Sequence, residues 1–349
     1  MDHRERVLRT LCFEATDRAP YDLMEGAIWP ELAAYFAQEH GLQDRDEIVD
    51  WLNTDLRWIY QNYEGPEVVP PEDGLPKERA LTYSDALFAR ELAQAESVAD
   101  VEALPRPDPS LWRVPDATSA RREWPHHAIV YTPPWMPLFC GACEAFGMEE
   151  ALTKMLLEPA LFEAFVRSQH AYYVEILKQG LATCRDDVDL VWLGDDYASQ
   201  RAMMMHPALW RRMIKPYLAE QVQMVRDAGL LVLFHSCGAV RPILPDLIEI
   251  GVNALLVFQI TAANMAPEAI AKEFGGRLAF YGGIDCQQVL TQGTLGEVRA
   301  AVKRNIRAFE PYGGYIVANC HHGIANIRPE NVIAMCRAAA ETGYAPGRG

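Results

Sequence analysis

Leu230-Leu231-Val232-Leu233-Phe234-His235-Ser236-Cys237-Gly238 is an apolar run that ends in a histidine and a cysteine two positions apart. A run this short and this apolar reads as a strand buried on both faces, the kind found in parallel sheets. Residues i and i+2 of a strand face the same side. His235 and Cys237 therefore aim an imidazole and a thiolate at one point, and borderline-soft zinc accepts that pair. A third donor is sought downstream, in Gly313-Gly314-Tyr315-Ile316-Val317-Ala318-Asn319-Cys320-His321-His322, where a second apolar run ends in a cysteine and two histidines. Three protein ligands with one position left open is the arrangement of catalytic zinc. The bland alternative is chance in a chain with eight cysteines and nine histidines, with Cys237 a small buried hydrophobe and His235 a satisfied strand-end histidine.

Outward from this run, apolar stretches alternate with helical patterns. Strands are expected at Val188 to Leu193, Leu230 to Phe234, Ala254 to Phe258, Arg277 to Tyr281 and Gly314 to Ala318. Helices are expected at Pro207 to Ala228, Val240 to Ile250, Pro267 to Phe274, Thr294 to Phe309 and Pro329 to Glu341. Such βα units imply parallel strands with right-handed crossovers, and an eight-stranded (β/α)8 TIM barrel fits them best. The first half is less regular, with strands expected at Ala19 to Leu23, Asp55 to Tyr60, Ala80 to Tyr83 and Ile129 to Thr132. Glu64 to Pro76 and the proline-broken Pro105 to Pro115 read, with the N-terminal helical segments, as excursions over the barrel mouth. One domain, 1–349, is expected.

Barrel chemistry gathers where strands end. That rule selects Asp195 and Asp196, His235 and Cys237, Gln259, Tyr281, Asp285, and Asn319 to His322. Asp195, Asp196 or Asp285 is suited to move a proton or to orient a ligand histidine. Trp29, Trp51, Trp58, Tyr60, Trp135, Phe139, Trp192 and Tyr197 fall near strand ends or mouth excursions, and aromatic surfaces suit a flat apolar substrate. Glu25, Trp29, Trp135, Tyr197, Gln259, Tyr281 and His322 are the expected substrate contacts. For any one of these residues, capping or core packing is the commoner role.

With 32 Lys plus Arg against 48 Asp plus Glu, the formal charge is -16, which disfavours nucleic acid and anionic membranes. No run approaches the roughly 20 apolar residues of a membrane span, and the N-terminus opens as an amphipathic helix, so a cytoplasmic protein is expected. The scattered cysteines suggest reduced thiols. Cys140-Gly141-Ala142-Cys143, before an expected helix Glu144 to Leu157, lacks a second CxxC partner and reads as packing or pocket wall. The charge gives no dimer signal, and a homodimer stays open.

The same segments resemble the uroporphyrinogen decarboxylase superfamily, and within it the corrinoid-linked, zinc-dependent methyltransferases of the methylcobamide:coenzyme M type. The likeness rests on Arg4-Glu5-Arg6-Val7-Leu8 with Asp17-Arg18-Ala19-Pro20, Leu193-Gly194-Asp195-Asp196-Tyr197, His235-Ser236-Cys237-Gly238, Gly282-Gly283-Ile284-Asp285 and Pro329-Glu330-Asn331-Val332. It implies a TIM barrel, zinc held by His235, Cys237 and Cys320, and a corrinoid cofactor, free or on a partner corrinoid protein. Measured back from Pro329, the family's later cysteine falls at Cys320 or at His321. The decarboxylases grip tetrapyrrole carboxylates with N-terminal arginines, whereas Tyr21 to Trp29 has two acids and no basic residue. A zinc-dependent methyltransferase acting on a methoxylated aromatic, by O-demethylation, is therefore expected. A metal-free lyase or decarboxylase on the same barrel, or a docking subunit without catalysis, are the rivals.

Overall fold

The structure is a computed structural model that describes residues 1–65, 95–104, 106–321 and 326–344. Its centre is a parallel sheet of seven strands: β1 (Leu56–Tyr60), β4 (Ala128–Thr132), β5 (Leu190–Gly194), β6 (Leu231–His235), β7 (Ala254–Phe258), β8 (Ala279–Ile284) and β9 (Tyr315–Asn319), paired in that order. β2 (Asn62–Tyr63) and β3 (Trp112–Arg113) form a separate antiparallel pair. The strands are buried along nearly their whole length, as the uninterrupted apolar runs require, and helices such as Pro159–Cys184 and Leu295–Phe309 cover the sheet.

An eight-stranded barrel is expected from the sequence, and a parallel sheet of seven strands forms among the described residues. The Ala19 to Leu23 segment makes one parallel bridge, Tyr21 to Val317, beside β9. Asp22 N donates to Val317 O, Val317 N to Pro20 O, and Asp55 N to Tyr21 O. Residues 20–22 thus touch both the last strand and the entry to the first, so the sheet curls. Pro20 has no N–H to continue a ladder, which explains a bridge where a strand is expected.

The helix His3–Leu11 is not an excursion over the mouth, because it sits at the opposite end of the strands. Arg4 N donates to His126 O, just before β4, and the Arg4 guanidinium meets Asp189, just before β5. Arg6 and Arg18 both grip Asp55, whose side chain is fully buried ahead of β1. Burial opposes ionisation of Asp55, but His3, Arg18 and Arg6 outweigh it and hold its carboxyl below the ordinary range. Ala80 to Tyr83 and most of Glu64 to Pro76 lie outside the described residues; Pro105 to Pro115 supplies a short 3-10 turn, Pro109–Leu111, and β3. No helix among the described residues is long and apolar enough to cross a membrane.

Candidate active site and metal centre

β5 and β6 run side by side with Gly194 opposite His235, and Asp195 N donates to His235 O. This register places the residues that follow each strand next to one another. Asp196, His235 and Cys237 offer ligand atoms that all lie within 4.8 Å of one another. His235 Nε2 is 3.6 Å from Cys237 Sγ and 3.7 Å from Asp196 Oδ1. Tetrahedral zinc with bonds of roughly 2.0–2.3 Å separates its ligands by about 3.5 Å, so the nitrogen, sulfur and oxygen donors fit a divalent ion.

Two glycines let the chain do this. A Cβ on Gly194 would come within 2.7 Å of Trp135 and 2.9 Å of the His235 side chain. Gly238 has φ +83°, and a Cβ there would meet the carbonyls of Ala198 and Ser199 at 2.5 Å. Cys237 N donates to Asp196 Oδ1 at 2.6 Å, and Gly238 N to Gln259 Oε1 at 2.9 Å. Gln259, expected as a substrate contact, holds the loop after β6 instead.

Glu25 is the residue whose role changes most. It has the left-handed backbone angles φ 54°, ψ 27°, unusual for a glutamate, and is buried. Its Oε1 lies 2.5 Å from His235 Nδ1 and accepts from Trp192 Nε1 at 2.9 Å, while its carbonyl accepts from Tyr60 Oη at 2.6 Å. A carboxylate on Nδ1 turns Nε2 toward Cys237 and Asp196, where a bound metal would take the place of its proton. Burial disfavours the imidazolium, but the Glu25 carboxylate and Cys237 overcome it and raise the His235 pKa well above its ordinary value. Burial raises the Cys237 thiol, with His235 opposing.

Beside these donors opens a pocket of about 530 Å³, lined among others by Tyr60, Thr132, Trp135, Trp192, Asp196 and His321. The rings of Trp135 and Trp192 lie 5.6 Å apart, and 5.5 and 5.8 Å from His235.

Cys320 is absent from the donor group. Its N–H donates to Ile284 O, in register with β8, and its sulfur meets Cys286, whose hydrogen bond lowers the Cys320 pKa against the effect of burial. Among the described residues it is Asp196, and not the expected Cys320, that lies within reach of His235 and Cys237, and His321 reaches the pocket wall. Asp195 is buried, with its carboxylate accepting from the N–H groups of Leu138, Phe139 and Cys140 at the start of the helix Phe139–Phe146. Burial, only partly offset by these bonds, pushes it up to about 7. Asp285 accepts from Gln287 and Gln288 N in a turn. Tyr197 packs on Trp210 and Phe234, Tyr281 bonds Asp22 and Leu23 O, and Trp29 is buried, so none of the three lines the pocket. His322 lies outside the described residues. Burial lifts the Cys143 thiol to about 12 and the Cys140 thiol higher still, which fits packing rather than redox chemistry.

A family model described as uroporphyrinogen decarboxylase matches residues 94–342. The chain belongs to the uroporphyrinogen decarboxylase family. Among solved structures, this family member is similar to a methyltransferase from Methanosarcina mazei, with 16% identity, a TM-score of 0.63, and coverage of 98% of this chain and 99% of that one. At that identity the likeness speaks for the fold. A D-psicose 3-epimerase from Clostridium cellulolyticum H10 is similar at 12% identity and a TM-score of 0.38, over 84% of this chain and 88% of that one. No curated protein matches this member of the family significantly.

Proposed function

We propose that this chain is a zinc-dependent methyltransferase that moves a methyl group between a methoxylated aromatic and a corrinoid, either free or carried on a partner protein. The observation that supports it is the nitrogen, sulfur and oxygen donor set beside an indole-lined pocket, with Glu25 fixing the histidine. When bound, zinc supplies a Lewis acid beside the departing heteroatom. Trp135 and Trp192 offer faces for an aryl ring. Glu25 holds His235 and Trp192 together, so that ring position and ligand position are set by one carboxylate. Asp196 both offers an oxygen ligand and, through Cys237 N, orients the thiolate.

The step balances without an external oxidant. The carbon–oxygen bond of the ether would break with the oxygen keeping its electron pair and gaining a proton, and a reduced corrinoid, when present, would supply the electron pair that accepts the methyl group. Porphyrinogen decarboxylation fits less well. Asp22 and Glu25 are buried acids in the segment where that reaction needs arginines, and facing carboxylates in a desolvated site repel. Zinc content of the purified protein, together with demethylation of a methoxyarene by free cob(I)alamin, tests the reading. Stoichiometric zinc and transfer support it, and protein that neither holds zinc nor transfers methyl groups overturns it.

A further inference from the structure

We propose that Arg45 is a positioning residue for the metal centre, its guanidinium locking the left-handed turn that delivers Glu25 to His235. The inference rests on the reading of Asp196, His235 and Cys237 as metal donors and extends it to a residue behind the pocket. Asp44-Arg45-Asp46-Glu47 opens the helix Arg45–Leu52, and the Asp44 and Glu47 side chains close a capping box on its first turn. Arg45 is therefore fixed at its root. Its Nε donates to Gly26 O at 2.9 Å, and Nη1 and Nη2 both donate to Trp58 O at 3.2 Å, on the edge strand β1. The guanidinium also lies over the Tyr60 ring, 5.0 Å from its centroid, and the Tyr60 hydroxyl donates to Glu25 O at 2.6 Å. The ion pair with Asp46 is long, at 4.0 Å, so the cation spends its short bonds on two neutral carbonyls.

What those bonds hold is a strained turn. Glu25 at φ 54° and Gly26 at φ 61° are consecutive left-handed residues, a conformation that a glutamate keeps only where its surroundings impose it. Gly26 is required for the close approach, since a Cβ there would stand 2.8 Å from Arg45 Nη2 and 2.5 Å from the Trp58 ring. The start of the turn is tied separately, by Met24 N donating to Asn319 Oδ1 at 2.9 Å. From this turn the Glu25 carboxylate reaches His235 Nδ1 and Trp192 Nε1. Without the clamp the turn populates other backbone states, and the apparent metal affinity falls by the fraction of molecules that no longer present Glu25.

The test measures zinc affinity by chelator competition in Arg45→Met and Arg45→Lys, with Glu25 in place and in a Glu25→Ala background. A second readout, on metal-free protein, is the Trp192 indole N–H resonance, assigned by its loss in Trp192→Phe. Arg45→Met keeps an apolar stem over Tyr60 but no donors, and should weaken zinc about tenfold. Arg45→Lys keeps the charge without the fork and should weaken it less. Beside Glu25→Ala the Arg45 substitutions should change little, because the carboxylate they position is gone. The Trp192 signal should move in Arg45→Met in the same direction as in Glu25→Ala. Parent zinc affinity in Arg45→Met, or an unmoved Trp192 signal, overturns the proposal. Equal losses of affinity with and without the Glu25 side chain also overturn it, since Arg45 would then act on stability alone. Protein that holds no zinc in any form while the Trp192 signal moves as expected overturns the metal reading and leaves the clamp on Glu25 standing.

Discussion

Oε1 of Glu25 and Nδ1 of His235 are 2.5 Å apart although 210 residues separate them in the chain. The contact fixes which imidazole nitrogen is left for a metal. Glu25→Gln keeps an acceptor but removes the charge, so zinc affinity should fall about 10- to 100-fold. A competition titration against a chelating dye measures it. Unchanged affinity would show that Glu25 has no part in holding the ligand.

His235→Ala, Cys237→Ser and Asp196→Asn should each strip most zinc, and for Cys237→Ser and Asp196→Asn the thermal transition should stay close to that of the parent, since both residues follow the ends of their strands rather than lie within the sheet. Cys320→Ser should keep its metal, because that sulfur faces Cys286. Elemental analysis decides between them. Zinc lost from Cys320→Ser and retained by Asp196→Asn would reverse the assignment.

Burial pushes the Asp22 carboxyl from an ordinary 3.8 up to about 7, against hydrogen bonds from Trp58 and Tyr281. The folded chain therefore binds a proton that the unfolded chain has released at mid-range pH. Stability from this site is complete below about pH 4 and is lost as pH rises through 7. Asp22→Asn does not titrate, so between pH 4 and 8 the parent should lose about 2–4 kcal/mol more than the variant. Denaturant melts at both pH values report the difference, and parallel losses in the two proteins would count against it.

Asp55→Ala leaves Arg6, with only 6% of its side chain exposed, and Arg18 without their shared carboxylate. Removing one member of a buried ion cluster should destabilise the fold by about 3–5 kcal/mol. Zinc bound per folded molecule should not change, because Asp55 lies at the far end of the strands. A small stability loss, or a selective loss of zinc, would contradict the placement.

What the sequence made legible was local. Ala254–Phe258, Pro267–Phe274 and Pro329–Glu341 have the bounds that their apolar runs and first-turn prolines suggest. The expected helix Pro207 to Ala228 divides at Ile214, where Pro216 opens a second helix, and Glu144 to Leu157 is interrupted by Gly147 at φ 84°. Both breaks follow from the backbone limits of Pro216, which has no N–H for a helix interior, and of Gly147, whose positive φ ends a helical turn. His235 and Cys237 were found because strand alternation is a two-residue rule. Asp196 meets Cys237 across 41 residues, and Glu25 meets His235 across far more, so their roles depend on strand register and on the curl of the sheet. Cys320 was expected at the metal from a motif, and the β8–β9 register turns it toward Cys286 instead.

The charged cluster about Asp55 and Asp189 and the donor group about His235 sit at opposite ends of five-residue strands, about 16 Å apart by strand rise. Selection can therefore act on the two halves almost independently. Drift in the upper rim can trial unfamiliar ligands while the lower anchorage goes on guaranteeing a folded product, which makes this architecture a forgiving starting point for new activities.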